Sequence, residues 1–147
     1  MFIDNLIDTI KEKKNPSVVG LDPRIEYVPR FIREKAFSLY GENLKGACES
    51  ILEFNKRIID AVYDIVPAVK LQVAYYEMYG LYGLTVFMET IKYAKEKGLL
   101  VIADGKRNDI GSTAEAYSSA FLGRTGISCN KSETVLDVDA LTVNPFL

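Results

Sequence analysis

Leu99-Leu100-Val101-Ile102-Ala103-Asp104 is a short apolar run that ends on a carboxylate, and Gly105-Lys106-Arg107-Asn108-Asp109 follow it directly. A run this short, bounded by Gly98 and a charged turn, reads as a buried strand. Three other runs share the design: Ser17 to Asp22 (SVVGLD) before Pro23, Ala68 to Gln72 (AVKLQ) after Pro67, and Asp139 to Asn144 (DALTVN) before Pro145. Prolines and glycines punctuate each one.

The segments between these runs carry helical spacing. Phe2, Leu6, Ile7 and Ile10 predict an amphipathic helix over 2–14, stopped by Asn15-Pro16. Residues 45–66 place Ile51, Leu52, Phe54, Ile58, Ile59, Val62 and Tyr63 on one broad apolar face. A helix over 81–97 should end at Gly98 as its C′ glycine. Ser112-Thr113-Ala114-Glu115 fits a capping box, with Ser112 as N-cap and Glu115 at N3 of a helix reaching Leu122. Residues 23–44 read as a decorated loop with a short helix, 73–80 as an aromatic-rich connection, and 123–138 as a loop or insertion. No repeat motif or low-complexity segment occurs.

A helix followed by β-α-β-α-β-α-β means parallel strands joined by right-handed crossovers. An open doubly wound sheet and a (β/α)8 barrel both allow that order. After the first strand comes Asp22-Pro23-Arg24, and not G-x-G-x-x-G, which argues against a dinucleotide fold. Polar residues instead mark the strand ends: Asp22, Lys70, Asp104 with Lys106, and Asn144. A TIM barrel carries its chemistry there. A full barrel needs about 250 residues. The 147 residues therefore predict an α/β fold: one partial domain over 1–147, roughly the first four βα units of a (β/α)8 TIM barrel plus an N-terminal helix. Half a barrel has two open strand edges. We expect a truncated polypeptide, or one whose missing half another chain supplies.

Composition bounds the function. The chain is 48% hydrophobic with net charge −2, which suits one domain with a core and no nucleic-acid surface. No apolar run approaches the roughly 20 residues of a membrane span. Met1-Phe2-Ile3-Asp4 lacks a signal peptide's basic start. Cys48 and Cys129 form no C-x-x-C pair, and free thiols in a reducing cytoplasm are expected, with Cys48 packed in its helix. Histidine is absent, so Ser-His-Asp and Cys-His catalysis and His-based zinc sites are excluded from this segment. Acid–base work must fall to carboxylates, lysines or tyrosines.

Side chains alternate along a strand, so Asp104 and Lys106 should share the barrel interior while Gly105 faces outward. Lys70 on the neighbouring strand aims at the same place, and Asp109 lies in the turn beyond. The expected result is a row of alternating charge: Lys70, Asp104, Lys106, Asp109. Buried charges are tolerated when paired. Two flanking carboxylates would keep Lys106 an ammonium. An ammonium donates protons and stabilises negative charge, whereas a Schiff-base lysine must be neutral. The row fits formation and protonation of a carbanion. A salt-bridge network that merely braces the strand ends is the alternative.

The stretch from Val101 to Thr113 (VIADGKRNDIGST) closely resembles the D-x-K-x-x-D-I signature of the orotidine 5′-phosphate decarboxylase family. Gly20-Leu21-Asp22-Pro23, Ala68-Val69-Lys70-Leu71-Gln72 and Thr142-Val143-Asn144-Pro145 are similar to that family too, in its longer bacterial branch. The resemblance covers essentially the whole chain. It implies a carboxy-lyase of de novo pyrimidine biosynthesis that converts orotidine 5′-phosphate (OMP) to UMP and CO2. Lys106 would protonate C6 of the pyrimidine, and Asp104 would lie against the substrate carboxylate. Lys70 would hold Asp104 and the ribose in register, and Asp22 would bind a ribose hydroxyl. Asp109 and Thr113 match positions that reach into the partner subunit's site, which implies a homodimer with shared active sites. The resemblance implies no metal and no organic cofactor.

The family's phosphate-gripping loops and their arginine belong to the last barrel strands. Arg24, Arg107 and Arg124 do not match them, so the isolated 147 residues are expected to be inactive. Three other readings stand beside this one: a non-catalytic half-barrel, a related Mg²⁺-dependent sugar-phosphate decarboxylase with a similar D-x-K-x-x-D, and a Schiff-base aldolase. Tyr75, Tyr76, Tyr79 and Tyr82 are expected to pack or to line an interface, with the site as the alternative. Asn144 could touch substrate or cap the turn before Pro145.

Overall fold

The four apolar runs pair side by side in chain order. In the computed structural model, which describes residues 1–146, they form β1 (Val18–Leu21), β2 (Ala68–Gln72), β3 (Leu100–Arg107) and β6 (Ala140–Val143). The sheet order is β1-β2-β3-β6 and every pairing is parallel. Consecutive parallel pairing through helical crossovers is the start of a barrel, and the structure is the partial (β/α) barrel of about four units that the strand pattern predicts.

Alternation sorts the strand side chains into two layers. Leu21, Val69, Leu71, Val101 and Ala103 face the helices and are at most 2% exposed. They share one core with Ile51 and Ile59 of α3 (Leu44–Val62) and with Phe87, Ile91 and Ala94 of α5 (Gly80–Glu96). Each valine, leucine, isoleucine or phenylalanine among them contributes about 1.5–3 kcal/mol on burial, and the alanines less. Gly83 lets the backbone of α5 approach the short helix α4 (Ala74–Glu77): a Cβ there would sit 1.9 Å from the Tyr76 carbonyl oxygen. Lys70, Gln72, Ile102 and Asp104 alternate to the opposite, concave face, where each is only partly covered.

A buried polar cluster crosses this core. Asn55 of α3, 1% exposed, donates to the Tyr76 hydroxyl (3.1 Å) and to Thr90 Oγ1 of α5 (3.2 Å). The Tyr76 hydroxyl in turn donates to the Leu21 carbonyl (3.1 Å), immediately before Asp22. Tyr76 and Tyr79 are thus packing residues, Tyr75 is half-buried and Tyr82 exposed.

Several expectations are revised. The region 23–44 holds a full helix, α2 (Arg30–Tyr40), packed on α3. The region 123–138 contains an antiparallel hairpin, β4 (Thr125–Ser128) with β5 (Lys131–Glu133), braced by Arg124 on Ser132. Its strands bury little, so no apolar alternation announced them. The Ser112 capping box does not form. Helix α6 (Gly111–Phe121) starts two residues earlier, with extended Ile110 at its N-cap and no side-chain cap.

Helix α1 (Phe2–Lys13) forms as predicted but buries none of its residues. Its hold on the body includes the Lys13 ammonium, which donates to the carbonyls of Tyr63 and Val66 beyond α3. Among the described residues, no helix is long and apolar enough to cross a membrane.

Candidate active site

The concave ends of β1, β2, β3 and β6 bring six side chains together. Lys70 Nζ lies 2.9 and 3.1 Å from the two carboxylate oxygens of Asp22 and 3.4 Å from Asp104 Oδ2. Lys106 Nζ donates to Asp104 Oδ1 at 2.7 Å. Gln72 Nε2 donates to Asp104 Oδ2 (2.8 Å), and the Thr142 hydroxyl donates to Oδ1 (2.8 Å). Asp104 therefore accepts from four donors contributed by three strands.

The row is Asp22–Lys70–Asp104–Lys106, so the expected order is corrected at one end. Asp109 does not flank Lys106. Its Oδ1 accepts the amide of Ile110 at 2.8 Å, and among the described residues it makes no ion pair. The reason lies in the backbone. Lys106 takes φ +49°, a left-handed conformation uncommon outside glycine, β3 ends at Arg107, and Asp109 sits in the following turn with its carboxylate on the Ile110 amide. Thr113, in the first turn of α6, is exposed and likewise stands apart from the row. Asn144 caps its turn: its Oδ1 accepts the Phe146 amide at 3.0 Å.

Alternation around Gly105 holds. A Cβ there would meet Leu141, Val73 and Arg107 at 3.3–3.5 Å, on the helix side of the sheet. Arg107 turns the same way. Its guanidinium pairs with Glu77 and lies over the rings of Tyr117 and Phe121. It braces β3 against the neighbouring helices and does not enter the concave face.

Charge and exposure divide the labour. The Asp104 side chain is 14% exposed, whereas that of Lys106 is 65% exposed. The hydrogen bond from Lys106 holds the Asp104 carboxyl below the usual carboxylate range. Burial opposes this, while Thr142 and the charges of Lys106 and Lys70 add to it. Partial burial pulls the Lys70 ammonium down, but Asp22 and then Asp104 outweigh it and the net shift is upward. The result is a fixed carboxylate beside an accessible ammonium. Such a pair places negative charge against one part of a ligand and a proton donor beside it.

Gln72 and Thr142 are the site residues that sequence reasoning missed. Gln72 occupies the same alternating face as Lys70, a period-two signal that identifies it. Thr142 had the same signal in β6, but without charge it drew no attention.

Parallel strands whose C-terminal ends carry an alternating charge row define the catalytic end of an α/β barrel. Comparison narrows this class. The model of the orotidine 5′-phosphate decarboxylase / HUMPS family matches residues 17–147, and the chain belongs to that family. An orotidine 5′-phosphate decarboxylase of Caldicellulosiruptor saccharolyticus is 40% identical over 146 residues, which cover 99% of this chain and 48% of that protein. The one from Petrotoga mobilis is 40% identical over 147 residues, covering 100% and 44%. The solved structure of Leishmania donovani OMP decarboxylase superposes with TM-score 0.66 at 28% identity, covering 98% of this chain and 44% of that one. The chain thus spans about half the length of the curated relatives it matches.

Proposed function

We propose that this chain is the N-terminal half of a cytoplasmic decarboxylase that converts OMP to UMP and CO2. One observation carries the reading: the Asp22–Lys70–Asp104–Lys106 row at the strand ends, in a chain of this family. Asp104, held by four donors, faces the substrate carboxylate. Loss of CO2 leaves an electron pair on C6 of the pyrimidine. The Lys106 ammonium stabilises that pair and then delivers a proton to it. Lys70 keeps Asp104 in register and reaches the ribose, and Asp22 accepts from a ribose hydroxyl. These groups act by electrostatic preorganisation, supplemented by binding energy from the remote phosphate. Asp109 and Thr113, outside the row in their own chain, serve the site of a partner subunit in a homodimer. No metal or organic cofactor enters the scheme.

The test is OMP decarboxylation by the full-length polypeptide, with EDTA present, against Lys106→Ala. The expected loss is about 10³-fold or more. Equal rates would remove Lys106 from the mechanism, and activity abolished by EDTA would favour the Mg²⁺-dependent sugar-phosphate branch. Mixed Asp104→Ala and Asp109→Ala subunits should regain partial activity, and no recovery would count against shared sites.

A further inference from the structure

β3 and β6 do not pair evenly. Ala103 stands opposite Leu141 and Arg107 opposite Val143, so Asp104, Gly105 and Lys106 face Thr142 alone. The ladder is interrupted at the reacting residues themselves, a placement typical of bulges that re-aim a side chain. Within the bulge Lys106 holds its left-handed φ. A non-glycine residue in that region is strained and persists only if its surroundings fix it.

The Thr142 hydroxyl supplies the fixing contact. Its Oγ1 accepts the Lys106 main-chain N–H at 3.1 Å. The same hydroxyl donates its proton to Asp104 Oδ1 at 2.8 Å, the oxygen that also receives the Lys106 ammonium at 2.7 Å. One hydroxyl thus joins the backbone of the proposed acid to the carboxylate that holds its head.

Resting on the decarboxylase reading above, we infer that Thr142 is a positioning residue whose hydroxyl sets where the Asp104 carboxylate and the Lys106 ammonium stand relative to each other. It touches both groups, and the scheme needs no contact between it and substrate. Asp104 is faced by Lys106 of its own strand, by Lys70 and Gln72 of β2 and by Thr142 of β6, with Asp22 of β1 behind Lys70. Removing the hydroxyl takes away one donor to the carboxylate and lets the lysine backbone relax.

Thr142→Val keeps the shape and removes the hydroxyl, and Thr142→Ser keeps the hydroxyl. Both are made in the full-length polypeptide, with thermal melting as the folding control. For the valine variant we expect kcat to fall by about 10²-fold, as a small misplacement of reacting groups does, with KM within about threefold. The acid limb of its pH–rate profile should move to higher pH. The serine variant should stay within about threefold of the parent in kcat. A second readout needs no turnover: the Asp104 carboxyl, followed by ¹³C NMR, should titrate at higher pH in the valine variant and unchanged in the serine variant. If the valine variant does not fold, Thr142→Ala carries both readouts. A well-folded hydroxyl-free variant with parental kcat and an unmoved Asp104 titration overturns the proposal. If the parent does not decarboxylate OMP at all, the functional reading fails, and the NMR titration alone judges Thr142.

Discussion

Replacing Asn55 with alanine should destabilise the protein by about 3 kcal/mol, through loss of two hydrogen bonds at roughly 1 kcal/mol each and a cavity term of about 1 kcal/mol. Asn55 is 1% exposed and its amide reaches both the Tyr76 hydroxyl and Thr90 Oγ1, so no water can substitute without entering the core. Native stabilities are about 5–15 kcal/mol, which makes this a large fraction. Tyr76→Phe removes the hydroxyl without a large cavity. It strands the Leu21 carbonyl and one Asn55 N–H, at a cost of about 2 kcal/mol. The two changes share the Asn55–Tyr76 bond, so the double variant should lose about 1 kcal/mol less than the sum. Urea unfolding of the full-length polypeptide followed by circular dichroism measures all three, with a constant m-value as the check on two-state behaviour. Additivity within about 0.3 kcal/mol would refute the reasoning, because the shared bond would then carry no energy.

Gly83→Ala drives a Cβ to within 1.9 Å of a backbone carbonyl that cannot rotate away, so a loss of about 3 kcal/mol and a lower Tm are expected; a Tm equal to the parent's would contradict the close approach. Burial pushes the Cys48 thiol up to about 11, with Glu49 adding to it, while Cys129 is exposed on the hairpin. A native-state thiol titration with Ellman's reagent should therefore label Cys129 quickly and Cys48 only on unfolding, and rapid labelling of both would show the α3 core to be open. The Asp104 carboxyl is lower in the folded than in the unfolded chain, so its contribution to stability is present above the unfolded value and is lost as pH falls through the folded one. The difference in urea midpoint between parent and Asp104→Asn should shrink on acidification, and parallel pH curves would exclude the linkage.

The strands, their order and the Asp104–Lys106 pair were legible because each rests on a strong local signal. Apolar runs ending in charge give strands, and period two gives a shared face. The failures trace to departures from ideal geometry. Spacing places Asp109 only in the turn beyond β3 and not where its carboxylate points; it accepts from the Ile110 amide, and Asp22, not Asp109, completes the row. Thr142 shared the period-two signal but carries no charge, and its place opposite Asp104, Gly105 and Lys106 came only with the slipped register. Ser112 satisfied the letter pattern of a capping box, but Ile110 already occupied the cap. The exposure of α1 was also beyond prediction, since periodicity shows that a helix has an apolar face and not what covers it.

The strand order also bears on synthesis. Each later strand of the main sheet pairs with the main-sheet strand that precedes it in the chain, with the β4–β5 hairpin made between β3 and β6, so each finds its template already synthesised. Translation at about 5–20 residues per second leaves seconds between successive βα units, ample for a local helix and one strand pairing to form. The nascent sheet therefore grows from one side only, and β6, with Val143 63% exposed, is its advancing front. Once β6 has emerged from the ribosome it presents an open parallel strand edge to its neighbours on the same message, and self-association there competes with the pairing of any later strand.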